Sequence, residues 1–248
     1  VSTLEFFPDN LPDPEPRNRP AHLRSKNEER SVGGQVFDFL LILVLVLVTI
    51  AGVRHFVAQR FYIPTGSMEQ TIMPEDYVLA SRLTPNTVPV RRGDIVVFHD
   101  SGHWLGEANS DKVPVWEKGL VWLGLKGDRS SQQLIKRVIG LPGDRVSCCS
   151  PEGRLVVNGI AVKEPYLAPG TLPSEEPFDV RVPEGRIWVM GDNRQNSADS
   201  RAHMDLDGKG SVPLSDVLGR AVAITWPISR MSFLEDYSEV FSQVPNAK

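Results

Sequence analysis

Residues 36–53, VFDFLLILVLVLVTIAGV, constrain this chain more than any other stretch. Asp38 is their only charge, and from Phe39 to Val53 only Thr49 and Gly52 interrupt the apolar run. A helix on the surface of a water-soluble protein keeps a polar face, and this one has none. Crossing a bilayer takes about 20 helical residues, with a range of about 17–25. The run reaches that length if the helix continues towards Phe61. Thr49-Ile50-Ala51 loosely resembles a signal-peptide cleavage site. However, the preceding segment is longer than a secretory leader's basic region, and the apolar stretch is long for its core. The expectation is an uncleaved anchor over residues 36–57.

Charge around the run orients it. Arg17, Arg19, Arg24, Lys26 and Arg30 precede it, whereas Arg54 and Arg60 follow. The positive-inside rule then places residues 1–35 in the cytoplasm and the chain from about residue 60 outside. Residues 1–35 interleave five prolines (Pro8, Pro12, Pro14, Pro16 and Pro20) with charges and have few large apolar groups after Phe7. Such a segment cannot bury enough surface to offset its ordering entropy, so a disordered tail is expected.

Beyond Asp76 the pattern changes to short apolar runs bounded by turn formers. Residues 77–80, 94–98, 134–139, 155–157, 160–162, 186–190 and 221–226 read as strands. Asn158-Gly159 between two of them is a strong hairpin signal. The twenty prolines and twenty glycines fit many turns and short strands. A mostly β domain over residues 58–230 is expected. An irregular insertion at about residues 100–132 carries Trp104, Trp116 and Trp122, and a short, poorly packed tail covers residues 231–248. The formal net charge of −4 gives no reason to expect a nucleic-acid partner.

Three stretches could carry chemistry. In FYIPTGSMEQTI, residues 61–72, Pro64 and Gly66 make a tight turn that can present the Ser67 hydroxyl beside backbone N–H groups. In LIKRVIG, strand alternation sends Lys136 and Arg137 to opposite faces, so one of the two should point inward. A desolvated lysine loses its proton more easily and can then serve as a general base. A serine needs such a base, because its hydroxyl alone is a poor nucleophile. Residues 191–201, GDNRQNSADSR, form a polar loop directly after the apolar run IWVM. Ser197 there could hydrogen-bond a lysine, and Asp199 and Arg201 could pair to hold the loop in shape.

Other signatures fail. S-x-x-K, G-x-S-x-G and the phosphate-binding loop are absent. Residues 205–216 begin like a calcium loop, but Lys209 occupies a ligand position and Asp216 replaces the closing Glu. The five histidines lack metal-ligand spacing, so neither metal nor cofactor is expected. A triad using His99 or His203 stays open on composition. Cys148 and Cys149 are adjacent. They read as two small buried thiols, with a vicinal disulfide open to them in an oxidising compartment.

Taken together, an apolar anchor followed in order by PTGSM, RRGDIVVF, KRVIGLPGD and GDNRQNSADSR closely resembles bacterial type I signal peptidase. The closing GRAVAITWPISR is also similar. The resemblance spans roughly residues 36–230. It implies a signal-peptidase-type β-rich catalytic domain behind a single transmembrane helix, lying against the outer membrane face. Ser67 would be the acylating nucleophile and Lys136 its neutral base. The Ser67 N–H and the Thr65 hydroxyl would form the oxyanion hole, although the family often has Ser at the Thr65 position. Ser197 would orient Lys136, and Asp199 and Arg201 would brace the site above Gly191, Asp192 and Asn193. Gln195 departs from the Asp commonly seen there.

The implied partners are the lipid bilayer and membrane-bound preproteins with small residues at −1 and −3. Ile63 is a candidate pocket wall and Met68 a neighbour of the site. The Trp-containing region at 104–122 is a candidate contributor to the membrane-facing surface. Two other readings fit parts of the pattern. One is a self-cleaving repressor with a similar dyad, disfavoured by the anchor and the missing helix-turn-helix. The other is a bitopic envelope protein that binds partners without catalysis.

Overall fold

The structure, a computed structural model, describes residues 32–105 and 133–247. The chain divides into two units, residues 1–44 and 45–248. The expected tail at 1–35 falls outside the described residues up to residue 31, as does the insertion from 106 to 132.

Among the described residues one long helix, α1, runs Val32–Phe56. The most apolar 18 residues of its stretch Val32–Val53 have a mean hydropathy of 2.9, with none of them buried inside the protein. That length matches the thickness of a bilayer core. The Thr49 hydroxyl donates to Leu45 O one turn back, which satisfies the one hydroxyl of the run without a polar partner outside the helix.

The rest is mostly β. The strands are β1 (Ala58–Tyr62), β2 (Tyr77–Ser81), β3 (Ile95–His99), β4 (Gln133–Gly140), β5 (Arg145–Cys148), β6 (Leu155–Val157), β7 (Ile160–Val162), β8 (Phe178–Arg181), β9 (Arg186–Met190), β10 (Val212–Pro213), β11 (Val217–Trp226) and β12 (Ser232–Phe233). They form two antiparallel sheets. The larger has the order β1-β2-β11-β3-β4-β9-β10, with β12 added on β11, and the smaller has β7-β6-β5-β8. Asn158 and Gly159 join β6 to β7 with φ of 50° and 83°, the left-handed pair that a tight two-residue hairpin demands.

Three apolar clusters fill the domain. One packs Ile139, Trp188 and Met190 of the large sheet against Val146, Leu155 and Val180 of the small one. A second gathers Phe61, Ile63, Met68, Ile72, Ile95 and Ile135 around the segment that follows β1. The third lies along Val96, Phe98, Val138, Ile187 and Val189.

Two expectations need correction. Residues 231–247 are not a loose tail: β12 pairs with β11, and Phe241 and Val244 are buried in the first cluster. Isolated aromatic and β-branched groups in a polar segment showed no periodicity, yet they have a ready-made apolar surface to cover. Cys148 and Cys149 are not free thiols but a vicinal disulfide, with Cys148 buried and Cys149 exposed.

Candidate active site

The nucleophile turn follows directly from β1. Ile63 N–H donates to Asp76 O, and Glu75 N–H donates back to Ile63 O, which closes residues 63–76 into a loop on the sheet end. Inside it, Glu69 N–H bonds Gly66 O and Ile72 N–H bonds Met68 O. Met68 and Ile72 are fully buried and anchor the loop in the second cluster. Ser67 sits between this anchor and the exposed Pro64-Thr65 tip, with 7% of its surface exposed.

Lys136 arrives from the middle of β4, which is covered on both faces along nearly its whole length. Its Nζ lies 2.6 Å from Ser67 Oγ and donates to Ile135 O at 3.0 Å. Burial drops the Lys136 pKa from 10.5 to about 8, against the opposing pull of the Asp199 and Asp192 carboxylates. Desolvation therefore outweighs two negative charges, and the neutral amine is accessible near neutral pH.

Strand alternation predicts one inward side chain from Lys136 and Arg137. Both are buried, because β4 has strands on either side and packing on both faces. Arg137 makes a fully buried bidentate pair with Asp192, at 2.8 Å and 2.7 Å, and its Nη1 donates to Gly93 O. The Thr71 hydroxyl donates to the same Asp192 carboxylate. Asp192 thus ties the nucleophile segment to the strand that carries Lys136.

The loop after β9 supplies the remaining support. Asn193 N–H donates to Ser67 O at 3.1 Å, and its side-chain amide reaches Gly66 O and Glu69 Oε2. A Cβ on Gly191 would lie 2.4 Å from Ser67 O and 2.2 Å from Ser197 Oγ, so only glycine lets the two backbones meet. Asp199 accepts from Gly191 N–H at 2.9 Å and holds Arg201 through both oxygens. Burial by itself would push the Asp199 pKa up; the Arg201 hydrogen bonds and charge, with the Gly191 N–H, hold it below the usual carboxylate value.

Most of the residues singled out in the sequence therefore converge: Ser67, Lys136, Gly191, Asp192, Asn193, Asp199 and Arg201. Ser197 lies in the site but makes no hydrogen bond to Lys136. Its hydroxyl is buried and has no hydrogen-bond partner among the described residues. Ile63 is 3% exposed and Met68 is closed off completely, so Met68 supports the turn from below and offers substrate no surface. Gln195 is exposed in a short 3-10 turn, Arg194–Asn196.

Thr71, Arg137, Arg194, Glu164 and Tyr166 also brace the site, although no motif assigns them a role there. Arg137 had a signal, a charge inside an apolar strand, which was assigned to only one of two adjacent cations. Glu164 and Tyr166 had none, since KEPYL lies far from every motif.

The described geometry joins a serine hydroxyl, a desolvated amine and a rigid glycine-led loop, which suits acyl transfer. The sequence model of the family described as "Signal peptidase, peptidase S26" matches residues 36–226. A signal peptidase I of Mycobacterium tuberculosis is 37% identical over 217 residues, covering 78% of this chain and 73% of that one. A probable signal peptidase I-2 of a Synechocystis species is 34% identical over 215 residues, with coverages of 87% and 84%. A signal peptidase I of Pseudomonas aeruginosa is 30% identical over 265 residues, with coverages of 89% and 82%.

Proposed function

Since this chain belongs to the signal peptidase family, peptidase S26, and is a serine endopeptidase that removes signal peptides, we propose that it cleaves exported preproteins through a Ser67–Lys136 dyad. The 2.6 Å approach of Lys136 Nζ to Ser67 Oγ in a dry setting carries this reading.

In the first half-reaction, Ser67 Oγ attacks the scissile carbonyl carbon while the neutral Lys136 amine takes the hydroxyl proton. The Ser67 N–H and the Thr65 hydroxyl receive the charge developing on the carbonyl oxygen. Collapse of the tetrahedral intermediate breaks the C–N bond, and the Lys136 ammonium returns the proton to the leaving amine. Lys136, neutral again, then takes a proton from a water that attacks the acyl ester; breaking the C–Oγ bond frees the signal peptide, and the Lys136 ammonium returns the proton to Ser67 Oγ. Small residues at −1 and −3 are the expected specificity, with Ile63 at the end of β1 as a pocket wall.

The chain is further read as a single-pass protein with residues 1–35 in the cytoplasm and the β domain on the outer face. One residue, Val57, separates α1 from β1 along the chain. Exposed Trp226, Ile228, Met231 and Phe233 support contact with lipid. Trp226 pairs with Tyr77, which pairs with Tyr62, at the sheet end that leads into the nucleophile turn, and Phe233 lies beside Ala223, which is on the same strand as Trp226. Trp104, by contrast, stacks on His203 and packs against Phe98.

The test is cleavage of a preprotein bearing an Ala-x-Ala site, in detergent with lipid. Wild type should cut after that site, and folded Ser67→Ala and Lys136→Ala should not. Near-full activity of Lys136→Ala would unseat the lysine as base. A wild type inert on every preprotein would favour a non-catalytic envelope binding protein, although such a protein has no use for a buried lysine against a serine.

A further inference from the structure

The Gly191–Arg194 segment holds the Ser67 backbone, yet it is a loop and lacks a sheet partner of its own among the described residues. Its rigidity has to come from side chains. Two cations flank Asp192 and fix the segment from either side. Arg194 Nε donates back to Gly191 O at 2.9 Å, and Arg137 takes the Asp192 carboxylate. Both cations are held in turn by one short stretch, the turn after β7. Glu164 accepts both Arg194 Nη groups, one at 2.9 Å, with each side chain almost wholly buried. Tyr166 donates its hydroxyl to Glu164 at 2.7 Å and lays its ring against the Arg137 guanidinium, 4.1 Å from Cζ to the ring centre.

We propose that Glu164 and Tyr166 are positioning residues of the hydrolysis, clamping the Gly191–Arg194 segment so that Ser67 stays in register with Lys136. The proposal rests on the Ser67–Lys136 reading. Neither residue touches the dyad. Glu164 acts through Arg194 on Gly191, whose Cα packs against Ser67 O. Tyr166 acts chiefly through its hydroxyl on Glu164, while its ring backs Arg137, which holds the Asp192 that also receives Thr71 from the nucleophile segment. Asn193, between the two anchors, carries the direct hydrogen bonds to Ser67 O and Gly66 O.

A buried ion pair is weak as a source of stability, because desolvating both charges consumes most of the attraction. Its bidentate geometry is what it contributes here: a planar guanidinium locked on a carboxylate fixes orientation as well as distance. Catalytic geometry tolerates little slack, and a displacement of about 1 Å can lower turnover by about 100-fold. A clamp on the supporting loop is therefore read out in turnover more than in substrate binding.

The test compares Glu164→Gln, Tyr166→Phe and Val157→Ala in the full-length chain, with an Ala-x-Ala preprotein, well below each variant's unfolding temperature. Val157→Ala is the core-truncation control, buried in the small sheet and outside the clamp's hydrogen bonds. The expected result is a kcat fall of about 10- to 100-fold for Glu164→Gln and a smaller, several-fold fall for Tyr166→Phe. KM should change less than about threefold, and Val157→Ala should keep wild-type kcat despite a lower melting temperature. Wild-type kcat in both clamp variants, or a fall in all three that tracks lost stability, would overturn the proposal. If Glu164→Gln does not fold, Tyr166→Phe decides alone. Failure of the dyad itself shows separately, as activity in Ser67→Ala.

Discussion

Lys136 and Ser67 meet at 2.6 Å although 69 residues separate them in the chain. Two different devices bring them together. Lys136 is fixed by the pairing of β4 between β3 and β9, the centre of the large sheet. Ser67 is fixed by a loop that is sheet-bound at both ends and pinned in the middle by Met68 and Ile72. The contact is thus a meeting of a strand interior with a loop shoulder, and the loop after β9 holds the shoulder still.

Replacing Lys136 by Met should separate chemistry from folding. The substitution keeps most of the volume and removes a buried amine, so turnover should fall by about 100-fold or more, the scale of lost general-base catalysis. The fold should not suffer near neutral pH. The folded-state pKa of about 8 lies below the unfolded 10.5, so the unfolded chain binds the extra proton between those values and wild-type stability rises with pH across that window. Below about 8 the wild type carries the full cost of burying the charge, roughly 3 kcal/mol. Denaturant unfolding should show Lys136→Met at its greatest relative advantage at pH 7, narrowing towards pH 10. An advantage that widens with pH would contradict the assignment.

The pH profile of kcat/KM should rise through an apparent pKa near 8. Below it Lys136 is an ammonium and cannot take the serine proton; above it the base is ready. A profile that rises near 6.5 instead would point to a histidine, and His99 and His203 would then need testing.

Asp199→Asn should move that rising limb to lower pH. Asp199 is the larger of the two carboxylate influences that favour the Lys136 ammonium, so removing its charge leaves desolvation less opposed. Turnover at the optimum should fall as well, since Arg201 loses its buried partner. The measurement is the full kcat/KM profile of the variant. A limb that stays in place would show that Asp199 does not act electrostatically on the base.

Trp226 should be quenched by brominated lipid. It is half exposed at the end of β11, followed by Ile228, Met231 and an 89% exposed Phe233, an apolar run that water disfavours. Reconstituted wild type should lose fluorescence in brominated vesicles, and Trp226→Phe should lose much less. Equal quenching of the two would place the contact elsewhere, for instance on the other tryptophans.

The sequence revealed the parts whose information is local. The apolar run announced α1, the Asn158-Gly159 pair announced its hairpin, and the strand-like run around Lys136 announced β4. β11 proved longer than expected because Gly219 and Arg220 interrupt its apolar pattern. β1, β5 and β8 went unseen because AQRFY, RVSC and FDVR are too short and too polar to show alternation; their pairing partners decide them. The site followed the same divide. Ser67, Lys136 and the 191–201 loop were legible as motifs. The ion pairs Arg137–Asp192 and Arg194–Glu164 were not, since buried charge pairs depend on which loops the fold brings together.

Gly191 offers the sharpest steric test. An alanine there would need its methyl 2.4 Å from the Ser67 carbonyl oxygen, a backbone atom that cannot rotate away, and 2.2 Å from Ser197 Oγ, which can. Ser197→Ala would relieve only part of the second contact, since Ser197 Cβ is itself 2.7 Å away. Relief must come from separating the two backbones, which stretches the Asn193 N–H bond to Ser67 O and shifts the nucleophile. Gly191→Ala should therefore lose about 100-fold or more in kcat, with far-UV circular dichroism unchanged because no strand is touched. Adding Ser197→Gly removes both side-chain clashes and leaves the carbonyl one. If the double variant stays inactive, the Ser67 backbone is the sensitive contact. If it recovers wild-type turnover, the close approach of Gly191 to Ser67 O is not what the nucleophile depends on.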